Sequence, residues 1–97
     1  MKSTDDIERI LHEHKSELTS RFHVSKIGIF GSYVRNEPNE QSDLDVIVEF
    51  SEPIGLFEFI DLEDYIGKLV GIKIDLVSRK GLRPHIGKKI LDEVVYI

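Results

Sequence analysis

The chain has 97 residues, no cysteine, and a formal net charge of −5 from 13 basic and 18 acidic side chains. The missing cysteines exclude disulfides and thiolate metal sites and fit a reducing compartment, while the acidic balance argues against a general nucleic-acid binder, whose surface would be basic. No apolar run approaches the roughly 20 residues of a membrane-crossing helix or reads as a secretory signal, so one cytoplasmic domain spanning 1–97 with a modest core is expected.

Ser3 or Thr4 caps a first helix, with Asp5, Asp6 and Glu8 in its first turn and Ile7, Ile10, Leu11 and Leu18 on one stripe, predicted to run to about Arg21. Residues 26–30 read as a strand that delivers Gly31, and Pro38, Asn39, Glu40, Gln41 and Ser42 supply a polar loop before the next strand. A second helix is predicted over 56–69, with a broad apolar surface of Phe57, Ile60, Leu62, Tyr65, Ile66 and Leu69, stopped by Gly71. A third strand covers 72–77, and Pro84 suits the first turn of a helix ending near Asp92 or Glu93. The apolar tail Val94-Val95-Tyr96-Ile97 is expected to pack. The order predicts an α+β fold, a small mixed sheet covered on one side by helices.

Chemistry concentrates in residues 31–45. In a strand, residues two apart point to the same side, roughly 6.5–7 Å apart, so Asp43 and Asp45 share a face while Leu44, Val46, Val48 and Phe50 take the other. Two carboxylates about 4 Å apart repel by roughly 1 kcal/mol in water and roughly 4 kcal/mol at an effective dielectric near 20, so a cation favours such a pair. Oxygen-only donors suit Mg²⁺ or Mn²⁺. Gly31 can adopt angles closed to other residues and lets a phosphate approach the main chain. Ser32 adds a hydroxyl and an amide, and a short helix over 32–35 would turn its first N–H groups toward an anion. Arg35 lies one turn beyond Ser32, within reach of a phosphate or of a local carboxylate such as Glu37; the sequence leaves both open.

Asp75 is the one acid in its strand, on the face opposite Ile72, Ile74 and Leu76. Beside Asp43 and Asp45 it would complete three carboxylates, an arrangement that holds two metal ions about 3.5–4 Å apart for nucleotidyl transfer. An Asp-X-Asp pair alone is usually a solvated polar face, and a lone Gly-Ser is an ordinary turn; their order, spacing and strand context together are far more specific. Arg79, Lys80, Arg83, Lys88 and Lys89 gather late in the chain, suited to ATP phosphates or an acidic protein partner, or equally to a solvated helix face. His12, His14, His23 and His85 form no strong ligand pattern.

Gly31-Ser32, ten intervening residues, Asp43-Leu44-Asp45 and then Asp75 resemble the signature of the DNA polymerase beta nucleotidyltransferase superfamily. The pattern is most similar to the minimal nucleotidyltransferases of prokaryotes, which include MntA-type antitoxins paired with HEPN ribonuclease toxins. The resemblance implies a polymerase-beta-like fold, nucleotide binding by Gly31 and Ser32 with Arg35 at a matching basic position, and Asp43, Asp45 and Asp75 as catalytic ligands of two Mg²⁺ ions, with Mn²⁺ as a substitute. It further implies adenylylation: AMP from ATP onto a tyrosine hydroxyl of a cognate HEPN toxin, which neutralises it. Asn36 departs from the glycine many relatives carry, which sets the turn differently without removing a metal ligand. Two other readings stand beside this one: an antitoxin acting by stoichiometric binding, and transfer to a small molecule, for which a dimer would have to supply the acceptor pocket. The oligomeric alternatives are a homodimer or a hetero-oligomer with the toxin.

Overall fold

Two helices precede the first strand where the periodicity predicts one. In the computed structural model, which describes residues 3–34 and 43–97 apart from the side chains of Ser32 and Ile86, α1 spans Thr4–Glu13 and α2 spans Lys15–Phe22. His14 leaves helical angles at φ −103° and ψ 7°, and its ring Nδ1 lies 2.8 Å from the Ile10 carbonyl oxygen, competing for an acceptor the helix itself uses. The hydrophobic stripe survives the break, since Ile7, Leu11 and Leu18 are all fully buried; this is why spacing alone conceals it. Ser3 is the N-cap, its hydroxyl accepting from the Asp6 N–H while the Asp6 carboxylate accepts from the Ser3 N–H.

The sheet follows as β1 (Val24–Phe30), β2 (Leu44–Phe50), β3 (Ile74–Ser78) and β4 (Val95–Tyr96), in the spatial order β3-β2-β1-β4. β1 runs antiparallel to both β2 and β4, and β2 runs parallel to β3, so the sheet is mixed and the fold is α+β. The β2–β3 crossover is α3 (Leu56–Val70), ended by Gly71 in the left-handed region at φ 69°. α4 (Pro84–Glu93) precedes the last strand, with Pro84 in its first turn.

One sheet face meets the helices. Ile29, Val46, Val48 and Leu76 pack with Ile7, Leu11, Leu62, Ile66 and Val70 in a continuous buried cluster. Each such side chain contributes about 1.5–3 kcal/mol relative to exposure. The apolar surface of α3 is narrower than its composition suggests. Leu62, Ile66 and Val70, four residues apart, face the sheet, whereas Phe57 and Ile60 are 82% and 50% exposed. The tail also differs from expectation: Val95 and Tyr96 form an exposed edge strand, and Ile97 packs against the core. None of the described helices is long and apolar enough to cross a membrane.

Candidate active site

Side chains of β2 alternate between the two sheet faces: Leu44, Val46 and Val48 enter the helix-covered core, and Asp45, Ile47 and Glu49 take the other side. Asp45 is the register partner of Phe30 on β1 and of Asp75 on β3, so Phe30, Asp45 and Asp75 form one row on the face away from the core. Asp43 stands one residue before β2, pinned by the Leu44 N–H donating to the Lys73 carbonyl at 3.0 Å. Asp43 and Asp45 are half-buried and Asp75 is exposed. The structure thus brings the three aspartates to one end of two parallel strands. Among the described residues, no three His, Asp or Glu side chains lie close enough together as they stand to hold a metal ion.

Gly31 enters at the end of β1, where Phe30 has already reached the Asp45 row. Its φ is 80°, a left-handed angle, and it opens a single 3₁₀ turn, Gly31–Tyr33. A Cβ at this position would collide with the Asp45 carboxylate. Glycine is therefore required on two separate grounds, backbone angle and close approach. The turn is held from two sides: the Thr4 hydroxyl donates to the Tyr33 carbonyl at 2.7 Å, and the Gly31 N–H donates to Glu93 Oε1 at 3.1 Å. Ser32 follows Gly31 in the turn. Arg35 lies outside the described residues, as does the loop of Pro38, Asn39, Glu40, Gln41 and Ser42.

Compared with known proteins, residues 11–97 match the family model of the nucleotidyltransferase domain. This chain belongs to the nucleotidyltransferase-domain family. The protein adenylyltransferase MntA of Thermococcus cleftensis is 48% identical over 97 residues, covering 100% of this chain and 98% of the relative. A solved structure assigned as a minimal nucleotidyltransferase superposes with a TM-score of 0.75 at 31% identity, covering 97% of this chain and 98% of that one. A solved complex of a tri-AMPylated Shewanella oneidensis HEPN toxin with an MNT antitoxin aligns with a TM-score of 0.61 at 15% identity, covering 95% of this chain and 66% of that one; at that identity the likeness shows the fold.

The late basic residues of this nucleotidyltransferase sit elsewhere. Arg79, Lys80, Arg83 and Lys88 line an open cleft of about 1230 Å³ at the far ends of β2 and β3, and none of Gly31, Asp43, Asp45 or Asp75 lines it. Arg79 also pairs with Glu49 at 3.6 Å. His23 meets Glu52 at 3.2 Å and His14 meets the Ile10 carbonyl. The Glu93 contact escaped sequence reasoning. Its one local signal is an acid on the last residue of a helix, where the dipole disfavours negative charge.

Proposed function

We propose that this nucleotidyltransferase is an antitoxin-type protein adenylyltransferase of the cytoplasm that moves AMP from ATP onto a tyrosine hydroxyl of a cognate HEPN-type ribonuclease toxin, using Mg²⁺. The observation that carries the reading is the row of Asp45 and Asp75 with Gly31 packed onto Asp45, in a chain that matches an MntA adenylyltransferase across its whole length. The MNT antitoxin bound to an AMPylated HEPN toxin supports the choice of partner.

The donors present fit a hard divalent ion, being carboxylate oxygens that register aligns at one end of β2 and β3. Asp43 and Asp45 would hold two ions jointly, and Asp75 would hold the one beside the acceptor hydroxyl; bound there, they neutralise phosphate charge and acidify that hydroxyl. Gly31 keeps the main chain open to a phosphate, and Ser32 offers its amide and hydroxyl. Arg35 adds positive charge to the same segment of sequence. In the transfer a bond forms between the tyrosine oxygen and the α-phosphorus. The bond from that phosphorus to the bridging oxygen breaks, pyrophosphate leaves with its electron pair, and the hydroxyl proton passes to solvent.

The position of the label in ATP tests this. With Mg²⁺ and a candidate HEPN-type partner, ATP labelled at the α-phosphorus should label a tyrosine of the partner, and γ-labelled ATP should not. Label from the γ position, or none from either, contradicts the proposal.

A further inference from the structure

The C-terminal segment zips onto β1 in a regular antiparallel register: the Ile97 N–H donates to the Ile27 carbonyl at 2.9 Å, Gly28 pairs with Tyr96, and Ile29 pairs with Val95. Carried two residues further, that register sets Glu93 opposite Gly31. The backbone cannot continue the ladder there, because Glu93 is still the last residue of α4. Its side chain does so instead, and Glu93 Oε1 accepts from the Gly31 N–H at 3.1 Å. A carboxylate accepting from a backbone N–H is a charge-assisted bond, stronger than a neutral ladder bond. It also offsets the unfavourable placement of an acid at a helix C-terminus.

Gly28 shows that the approach is built in. A Cβ there would come within 2.7 Å of Val94 Cγ2 and 3.1 Å of the Val95 carbonyl oxygen, so a bare glycine in β1 lets the residues that follow Glu93 lie against the strand. The Lys15 ammonium donates to the Ile97 carbonyl at 2.9 Å and holds the far end of the same segment. The chain end is thereby fixed at both extremities, with Glu93 at the end that meets the glycine turn.

We infer that Glu93 is a positioning residue of the transfer site: through the Gly31 N–H it fixes the left-handed turn that sets Gly31 against Asp45. The inference rests on the adenylyltransferase reading proposed above. Its action is through Gly31, and its required property is the acceptor oxygen.

The experiment compares wild type, Glu93→Ala and Glu93→Gln, first by amide hydrogen exchange at Gly31 and then by calorimetric binding of a non-hydrolysable ATP analogue with Mg²⁺. Glu93→Ala should speed exchange at Gly31 and weaken nucleotide binding by about tenfold or more, the effect of losing a charge-assisted hydrogen bond. Glu93→Gln retains an acceptor oxygen and should stay within about threefold of wild type on binding. Unchanged Gly31 exchange in the alanine variant, or unchanged nucleotide affinity beside a binding-competent wild type, overturns the inference while leaving the adenylyltransferase reading intact. A glutamine variant as impaired as the alanine one overturns it too, since charge and not the hydrogen bond would then be what matters. A folded wild type that binds no nucleotide overturns both readings together.

Discussion

Asp45 and Asp75 are register partners on neighbouring parallel strands, and the Asp45 carboxylate closes against Gly31 in the turn that follows β1. The Gly31 turn and the Asp45–Asp75 row are therefore one structural unit. A change at either should be felt at the other.

Asp45→Asn should reduce adenylyl transfer by on the order of 10³-fold, with the far-ultraviolet circular dichroism spectrum retained. The same variant should lose the rise in melting temperature that Mg²⁺ with ATP gives wild type through ligand linkage. Calorimetric melts with and without Mg-ATP check both. A nucleotide-independent melting temperature in wild type would instead favour a module that acts by stoichiometric binding.

Gly31→Ala combines an unfavourable left-handed angle, costing roughly 1–2 kcal/mol, with a collision against the Asp45 carboxylate. It should lower the melting temperature and abolish transfer. A control substitution at Gly81, whose added Cβ meets no atom within 4 Å, should leave both unchanged. Melting curves and transfer rates on the two variants make the comparison.

Leu62 is fully buried on α3 and packs into the core face of the sheet. Leu62→Ala should destabilise by about 2–5 kcal/mol in urea unfolding. The aspartates lie on the opposite face, so turnover per folded molecule should change little at temperatures where the variant remains native.

Tyr65 packs against Phe22, with the Arg21 guanidinium 5.1 Å from its ring centre. Burial, then the hydrogen bond to Glu17, hold its phenol above the usual value of 10.0. The native state thus binds the phenolic proton more tightly than the unfolded chain does. That contribution is fully present below about pH 10 and is lost as pH rises through the native value. Glu17 is shifted the other way. Hydrogen bonds from Tyr65 and then Arg21 hold its carboxyl below 4.5, so its contribution is present above that pH and fades as pH falls through the native value. Tyr65→Phe should raise the Glu17 value toward 4.5, read by nuclear magnetic resonance titration, and should remove the Tyr65 contribution to alkaline destabilisation.

Local spacing carried much of the strand chemistry. A period of two set Asp43 and Asp45 apart from Leu44 and Val46, and Gly71 and Pro84 marked the end of α3 and the start of α4 through backbone angles that those residues favour. What spacing lacks is pairing. Nothing within 72–77 specifies that Asp75 lies level with Asp45, because that register depends on the crossover through α3 and on Ile74 and Leu76 finding the same core as Val46. The break at His14 was hidden for a related reason: side-chain competition for the Ile10 carbonyl leaves the hydrophobic stripe intact. Phe57 and Ile60 misled because an apolar side chain does not say which side of a helix will find the sheet. Glu93 was the least legible, since its partner Gly31 is 62 residues away and its role emerges only when the tail is paired with β1.

The proposed transfer of AMP to a protein rests on Asp43, Asp45 and Asp75. Intact mass of a candidate HEPN-type partner, measured after incubation with this chain, ATP and Mg²⁺, tests this. One or more adenylyl additions on tyrosine are expected with wild type and none with Asp45→Asn. An unmodified partner with wild type, or full modification with Asp45→Asn, would contradict it.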